Sequence, residues 1–453
     1  MQYKTIAAVA TPPGTGGISV IRISGENAIS IADRIYQGKT PLSQCATHTI
    51  HYGHIVDRTG SVIDEVLVSI MHSPRTYTGE DVIEINTHGG VVVTNKVLDL
   101  VIEAGAAPAE PGEFTKRAFL NGRIDLSKAE AVIDLINAKN DLARQNAVNQ
   151  LGGRLSEYVE ALRQSLLDLA AHMQVSIDYP DEDLEEITQE QIIERLQAAL
   201  DGACRLLDSR DNGRIITDGI ATAIVGKPNV GKSSLLNYLS GTDRAIVTEI
   251  AGTTRDVIEE SVSLGGVPLR LIDTAGIRET EDTVEKIGVE RSLRSMEAAE
   301  LILAVIDGAS GIEPEDEAVL AACENRNRII LVNKTDVEQE PELPDFPGET
   351  VIFVSAKTGG GMKELEQEIS RRYRLGELSG QTDLILTNRR HIAALLRCRE
   401  ALENGIHALR QGLPQDLAAL DLNEAIAALG EITGASVSDD IVSAVFSGFC
   451  VGK

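Results

Sequence analysis

The spacing of apolar positions divides the chain into three regimes. As far as about residue 104 it mixes short alternating runs with one longer period. Thr5–Thr11 and Ile18–Ile23 read as strands separated by the turn-forming Pro12-Pro13-Gly14-Thr15-Gly16-Gly17. Glu65–Met71 and Val82–Asn86 are further strand candidates, and Gly90–Glu103 reads as a helix stopped by Gly105 and Pro108. The period then changes. Ser127-Lys128-Ala129-Glu130 has capping-box spacing, and helix signals dominate to about residue 210. Leu151, Leu155, Leu162, Leu166, Leu169 and Met173 form one face of a long amphipathic helix. Tyr179-Pro180-Asp181-Glu182-Asp183 breaks it, and Ile192, Ile193, Leu196, Leu200 and Leu207 restart the pattern.

From Gly219 the rhythm becomes strand, loop, helix. Strand candidates are Ile220–Val225, Ile258–Leu264, Leu269–Ile272, Leu301–Ile306, Ile329–Val332 and Val351–Val354. This alternation predicts an α/β domain with a largely parallel sheet. The chain is helical again over Leu384–Leu409, Leu417–Leu429 and Asp439–Phe446. The predicted fold is therefore multidomain, α+β and α/β. An α+β domain spans residues 1–122. A helical domain in two halves, 123–218 and 384–453, is interrupted by an α/β domain over 219–383.

Composition narrows the class of protein. The 453 residues are 43% apolar and 25% charged, which excludes disorder throughout and any collagen-like repeat. No apolar run approaches the roughly 20 residues of a membrane helix, and Met1-Gln2-Tyr3-Lys4-Thr5 does not begin a secretory signal. The five cysteines are scattered, without a CxxC pair, so neither a disulfide framework nor a structural zinc site is expected; a cytoplasmic location fits. The net charge of −27 argues against a general nucleic-acid coat. Residues 123–218 carry −9 and 219–383 carry −13, against −3 and −2 for the two ends.

The chemistry concentrates in the α/β region. Gly226-Lys227-Pro228-Asn229-Val230-Gly231-Lys232-Ser233 matches G-x-x-x-x-G-K-[ST] between a predicted strand and a helix opening at Ser234. Glycines let the backbone N–H groups wrap a polyphosphate, Lys232 can reach the β- and γ-phosphates, and Ser233 can ligate Mg²⁺. In the next loop, a threonine of Thr253-Thr254-Arg255-Asp256 can complete the Mg²⁺ shell. Asp273-Thr274-Ala275-Gly276 can sense the γ-phosphate. Asn333-Lys334-Thr335-Asp336 places a carboxylate that can accept two N–H bonds from guanine, and Ser355-Ala356-Lys357 offers a backbone N–H to the guanine O6. This order at the carboxyl ends of strands predicts a guanine-nucleotide site. Ile277 follows Asp273–Gly276 where Ras-like proteins carry a water-orienting glutamine, so hydrolysis needs another polar group. Arg278, Glu279, Glu281, Asp282 and Glu285 are the nearby candidates.

Three further segments point to a family. They are Ala10-Thr11-Pro12-Pro13-Gly14 with Ile21-Arg22-Ile23-Ser24-Gly25; Thr78-Gly79-Glu80-Asp81 through His88-Gly89-Gly90 with Pro111–Gly122; and the tail Phe449-Cys450-Val451-Gly452-Lys453. Together with the nucleotide motifs, the whole chain resembles the MnmE (TrmE) family of tRNA-modification GTPases. The resemblance implies a folate-binding, homodimerising N-terminal domain and a helical domain interrupted by a Ras-like P-loop GTPase domain. It implies a hetero-oligomer with the FAD-containing MnmG, with no membrane partner. It also implies tRNA as the complex's substrate, with an aminomethyl or carboxymethylaminomethyl group added at C5 of the wobble uridine. The one-carbon unit would come from 5-formyltetrahydrofolate or another tetrahydrofolate derivative.

Several residue roles follow only from this resemblance. Asn229 and the carbonyls of Thr248, Ile250 and Thr253, within Thr248-Glu249-Ile250-Ala251-Gly252-Thr253-Thr254, match the family's K⁺ ligands, with Thr254 on Mg²⁺. Glu285 matches its water-orienting glutamate, which accounts for Ile277. Arg22, Glu84, Arg123 and Lys453 match folate-binding positions. Cys450 has the place of a catalytic cysteine, although a cysteine near a terminus otherwise reads as a small buried hydrophobe or an unreactive thiol. His88 is left unassigned. Arg389, Arg390, Arg397 and Arg399 are the candidate cationic stretch for tRNA; a solvated helix face is the alternative. A GTP-switch ribosome-assembly factor without modification chemistry is the alternative function.

Overall fold

A computed structural model describes residues 4–178, 187–242, 260–272, 295–337, 346–373 and 384–453. Its contacts group the chain into two compact units. The first holds residues to Ile133 together with Gln150–Arg195 and Asn404–Lys453; the second holds Asp134–Asn149 and Leu196–Glu403.

The first unit is built on a seven-stranded sheet. Its strands are β1 (Ile6–Val9), β2 (Ile18–Ser24), β3 (Tyr36–Gly38), β4 (Thr49–Val56), β5 (Val62–Met71), β6 (Val82–His88) and β7 (Ala107–Pro108), in the order β3-β4-β5-β6-β2-β1-β7. Only β1–β7 is parallel. Alternation sends Ile21, Ile23, Val66, Val68, Ile70, Ile83 and Ile85 to one face, where helices Ala28–Asp33 and Val91–Glu103 cover them. The sequence pattern did not mark β4. Its apolar Ile50 and Tyr52 are 65% and 57% exposed, so they trace no core face.

On the other face Ile6 and Ala8 pack on Phe114, from helix Glu113–Leu120. Arg117 of that helix is buried and donates to Glu80, Glu113 and the Lys4 carbonyl. Glu80 in turn accepts from Ser24 Oγ at 2.7 Å. One buried guanidinium thus ties Thr78–Asp81 to Pro111–Gly122, and its two carboxylates offset the cost of its burial.

The helices between Leu126 and Asp178 correct two expectations. Helix Leu126–Asn137 is capped by Asp125, whose Oδ1 accepts from the Lys128 N–H at 2.9 Å. Ser127 does not cap; its buried hydroxyl lies in the first turn, 2.8 Å from both Asp125 Oδ1 and Ser156 Oγ. Leu151 does not join the long amphipathic face. It ends helix Asp141–Leu151, and Gly153, at φ 91°, separates that helix from Arg154–Asp178. The buried face of the second helix is Leu155, Val159, Leu166, Leu169 and Met173, and helix Gln415–Thr433 packs along it. Helix Asp439–Ser447 then sets Phe446 against Phe119 and Phe449 and delivers the C-terminal tail.

The second unit carries a six-stranded sheet of β8 (Ile220–Val225), β9 (Glu260–Leu264), β10 (Val267–Leu271), β11 (Leu301–Asp307), β12 (Arg328–Asn333) and β13 (Val351–Phe353). The order is β13-β12-β11-β8-β10-β9, parallel except for the β9–β10 hairpin. Gly265 and Gly266 supply the positive φ angles that a two-residue hairpin turn needs. β8 and β11 are buried along their whole length, as parallel strands covered on both faces must be. Ile215 and Ile216 of helix Arg210–Asp218 and Leu235, Leu236 and Leu239 of helix Lys232–Thr242 share this core. The carboxyl ends of β8, β11, β12 and β13 therefore lie along one edge of the sheet, the position at which α/β folds bind ligands.

Candidate functional site

The phosphate-binding loop leaves β8 at Gly226, whose φ is 155°. A Cβ there would stand 2.4 Å from the Val305 carbonyl. Asn229 adopts φ 65° and Gly231 φ 98°, so the loop winds back on itself before helix Lys232–Thr242 starts. The Lys232 ammonium donates to the carbonyls of Gly226 and Lys227, both at 2.8 Å. Burial lowers its pKa. A partly desolvated cation held by neutral carbonyls fits an anionic ligand, which would restore the lost solvation energy. Ser233 and Ser234 are exposed at the helix N-terminus, where a hydroxyl can serve a phosphate-bound Mg²⁺.

The base side is knitted to this loop. Asn333, buried at the end of β12, donates from Nδ2 to the Val230 carbonyl at 2.7 Å and accepts from the Ala356 N–H at 3.0 Å. One side chain thus joins the loops after β8, β12 and β13. Ser355 donates to Asp336 Oδ1 at 2.8 Å and accepts from the Thr358 N–H. That hydroxyl bond, foremost, holds the Asp336 carboxyl below its usual range. Asp336 and Lys357 are exposed beside it. Lys334, at φ 69°, ion-pairs with Asp307 at 2.6 Å. Asp307 and Asp316 belong to this neighbourhood and were not singled out from the sequence. The signal for Asp316 is the Glu313-Pro314-Glu315-Asp316 helix start, which forms a capping box.

Other assigned residues fall elsewhere. Thr248–Thr254, Asp273–Gly276, Ile277 and Glu285 lie outside the described residues, so the K⁺ ligands other than Asn229, the Mg²⁺ ligand Thr254 and the water-orienting glutamate are not placed.

In the first unit, Arg22 and Glu84 pair across β2 and β6. Arg22 reaches Glu84 Oε1 from Nε at 2.9 Å and from Nη2 at 2.8 Å, and its Nη1 donates to the Gly452 carbonyl at 3.1 Å. Its guanidinium carbon lies 5.7 Å from the centre of the Phe114 ring. The tail is seated by two more bonds, from Gly112 N–H to the Cys450 carbonyl and from Phe114 N–H to the Lys453 carbonyl. Arg22, Glu84 and the C-terminal residues are thus brought together. Their mix of carboxylate, guanidinium and backbone groups suits a ligand with both a hydrogen-bonding heterocycle and an anionic arm. Arg123 is held by the Thr76 carbonyl at 3.2 Å.

Two readings change. Cys450 is exposed, which removes the buried-hydrophobe reading. The four arginines of helix Arg389–Arg410 do not form one stripe. Arg389 and Arg397 are exposed, Arg390 Nη2 donates to His391 Nε2 at 3.0 Å, and Arg399 turns toward Glu403. The step of about 100° per residue puts Arg399 on the side of the helix opposite Arg390 and Arg397. His88, exposed at the end of β6, donates to Asp64 at 2.7 Å.

Comparison with known proteins agrees with this architecture. A family model described as "GTP-binding protein TrmE N-terminus" matches residues 5–123, and one described as "MnmE helical domain" matches residues 126–450. The tRNA modification GTPase MnmE of Listeria innocua is 49% identical over 100% of this chain and 100% of its own length. Those of Lacticaseibacillus paracasei and Acetivibrio thermocellus are each 48% identical over 100% of this chain and cover 98% and 100% of their own lengths. Identities of 48% and 49% over the whole chain, with family models matched over residues 5–123 and 126–450, make the chain a member of the MnmE family of tRNA modification GTPases.

Proposed function

We propose that this tRNA modification GTPase is K⁺-dependent and acts with an FAD-containing partner, MnmG. On this reading it drives addition of an aminomethyl or carboxymethylaminomethyl group to C5 of the tRNA wobble uridine. A tetrahydrofolate derivative such as 5-formyltetrahydrofolate supplies the one-carbon unit. The observation that carries the reading is the meeting of Arg22, Glu84 and the Gly452-Lys453 tail in a chain that is also a GTPase. A nucleotide switch alone needs no such second site, and the ribosome-assembly alternative is set aside by the family.

The division of labour among the chain's residues is as follows. Asn229–Ser234 wrap the phosphates with backbone N–H groups, and Lys232 exchanges its two carbonyl partners for phosphate oxygens. Asp336, oriented by Ser355, accepts the guanine N–H groups, while Asn333 keeps the base and phosphate loops in register. Asp273–Gly276 senses the γ-phosphate, and Glu285 orients the attacking water. Ser233 and Thr254 would hold Mg²⁺, and Asn229 with the carbonyls of Thr248, Ile250 and Thr253 would hold K⁺; bound there, these ions would supply positive charge to stabilise the negative charge that develops on the phosphates. Arg22, Glu84, Arg123 and Lys453 bind the folate. The N-terminal domain forms the homodimer, residues 123–218 and 384–453 make one helical domain interrupted in the chain by the GTPase domain of 219–383, and the protein works in the cytoplasm. No helix among the described residues is long and apolar enough to cross a membrane.

The test is binding of 5-formyltetrahydrofolate by calorimetry to the intact protein and to Arg22→Ala. Saturable binding lost in the variant supports the proposal. Absence of binding to the intact protein removes the folate chemistry.

A further inference from the structure

The second residue of the phosphate-binding loop, Lys227, is a cation that the G-x-x-x-x-G-K-[ST] pattern does not require. Its side chain does not extend into solvent. The ammonium lies 2.7 Å from Asp316 Oδ2 and 3.0 Å from Glu313 Oε2, and the side chain is 11% exposed. The two carboxylates raise its pKa against the opposing effect of burial. Its own backbone carbonyl is one of the two oxygens that hold the Lys232 ammonium. The same residue is therefore anchored by its side chain and anchors Lys232 by its main chain.

Asp316 is more than a helix cap. Its Oδ2 accepts from the Glu313 N–H at 3.1 Å, closing the capping box of helix Pro314–Ala322. The capping box gives this carboxylate one backbone N–H partner, on Oδ2. Here the side chain is 1% exposed, and Oδ1 is buried without a hydrogen-bond partner. Such burial costs more than a cap alone returns, and the Lys227 ion pair is the contact that offsets it. Asp307 extends the arrangement. It pairs with Lys334 of the base side, and its carboxyl is held below the usual range by the Lys334 hydrogen bond against desolvation, with the charge of Lys227 adding to the effect.

We propose that Asp316 is a positioning residue for nucleotide binding, acting through Lys227 to hold the phosphate-binding loop in its closed winding. This rests on the reading of Gly226–Ser233 as the phosphate site. With the loop pre-set, a nucleoside diphosphate meets aligned N–H groups and spends little of its binding energy ordering them. The effect belongs to ground-state binding, so its loss raises KM and leaves the chemical step alone.

The experiment is a double-mutant cycle on the full chain with Asp316→Asn, Lys227→Met and the pair, reading GDP dissociation by a fluorescent nucleotide and KM against kcat for GTP. Each single variant is expected to weaken GDP binding and raise KM by about tenfold, with kcat within about twofold, and the double variant to be no worse than the weaker single. Additive losses, or GDP affinity equal to the parent's with only a lower melting temperature, would overturn the proposal and leave Asp316 as a cap. If Asp316→Asn does not fold, Lys227→Met, which keeps the capping carboxylate, carries the same test: unchanged GDP affinity overturns it. Lys232→Ala separates the two readings. Loss of nucleotide binding there, with parental affinity in Asp316→Asn, overturns only the positioning role; retained binding in Lys232→Ala overturns the phosphate site and the positioning role together.

Discussion

Arg22 and Gly452 lie 430 positions apart in the chain, yet the guanidinium Nη1 of one donates to the carbonyl of the other at 3.1 Å. The contact ties β2 to the segment Phe449–Lys453. Gly452 adopts φ 95°, and a Cβ there would stand 2.4 Å from the Val9 carbonyl. Gly452→Ala should therefore unseat the tail without removing a charge. The expected result is a loss of 5-formyltetrahydrofolate affinity of about tenfold or more, measured by calorimetry. Unchanged affinity would show that the tail's seat is irrelevant to the ligand.

Potassium dependence gives a second prediction. GTP turnover at equal ionic strength should be much faster in KCl than in NaCl, and Asn229→Ala should abolish the difference. Asn229 already sits in the left-handed conformation the loop requires, so the variant needs a nucleotide-affinity control. Equal rates in the two salts would remove the ion from the mechanism and call for a cationic side chain in its place.

The base pocket can be inverted. A carboxylate at Asp336 accepts two N–H bonds from guanine; an amide there presents one donor and clashes with one of them. Asp336→Asn should weaken GTP binding by about a hundredfold and favour xanthosine triphosphate, whose C2 carbonyl welcomes the donor. Competition between the two nucleotides reads this out directly. Ser355→Ala, which removes the hydrogen bond orienting Asp336, should produce a smaller loss in the same direction.

His88 provides a pH-dependent contact. Its hydrogen bond to Asp64, then the charge of Asp64, raise its pKa above the ordinary 6.5. The folded protein thus holds the proton more tightly than the unfolded chain. The pair's contribution is complete below pH 6.5 and fades as pH rises through the raised folded value. Chemical-shift titration should place the His88 midpoint above 6.5 and return it toward that value in Asp64→Asn. An identical midpoint in both proteins would mean that the pair does not form in solution.

Much of this molecule was legible along the chain. The strands β8, β11 and β12 were readable because fully buried parallel strands are unbroken apolar runs, and the loops after them carry residue types that phosphate and guanine contacts demand at set offsets. The long helices were readable from their 3.6-residue period. What sequence could not settle were choices between equivalent local signals. Ser127 and Asp125 are both good helix caps, and only the packing of Ser127 against Ser156 decides for Asp125. Leu151 continues the apolar period, and the turn at Gly153 cuts it off. The strand β4 was missed because Ile50 and Tyr52 face outward. Tertiary structure alone also brought Arg22 to the tail, Lys227 to Asp316 and Asn333 to Val230. Periodicity and motif spacing report on neighbours within a few residues; ion pairs and backbone contacts across tens or hundreds of positions exist only once the sheets and helices have packed.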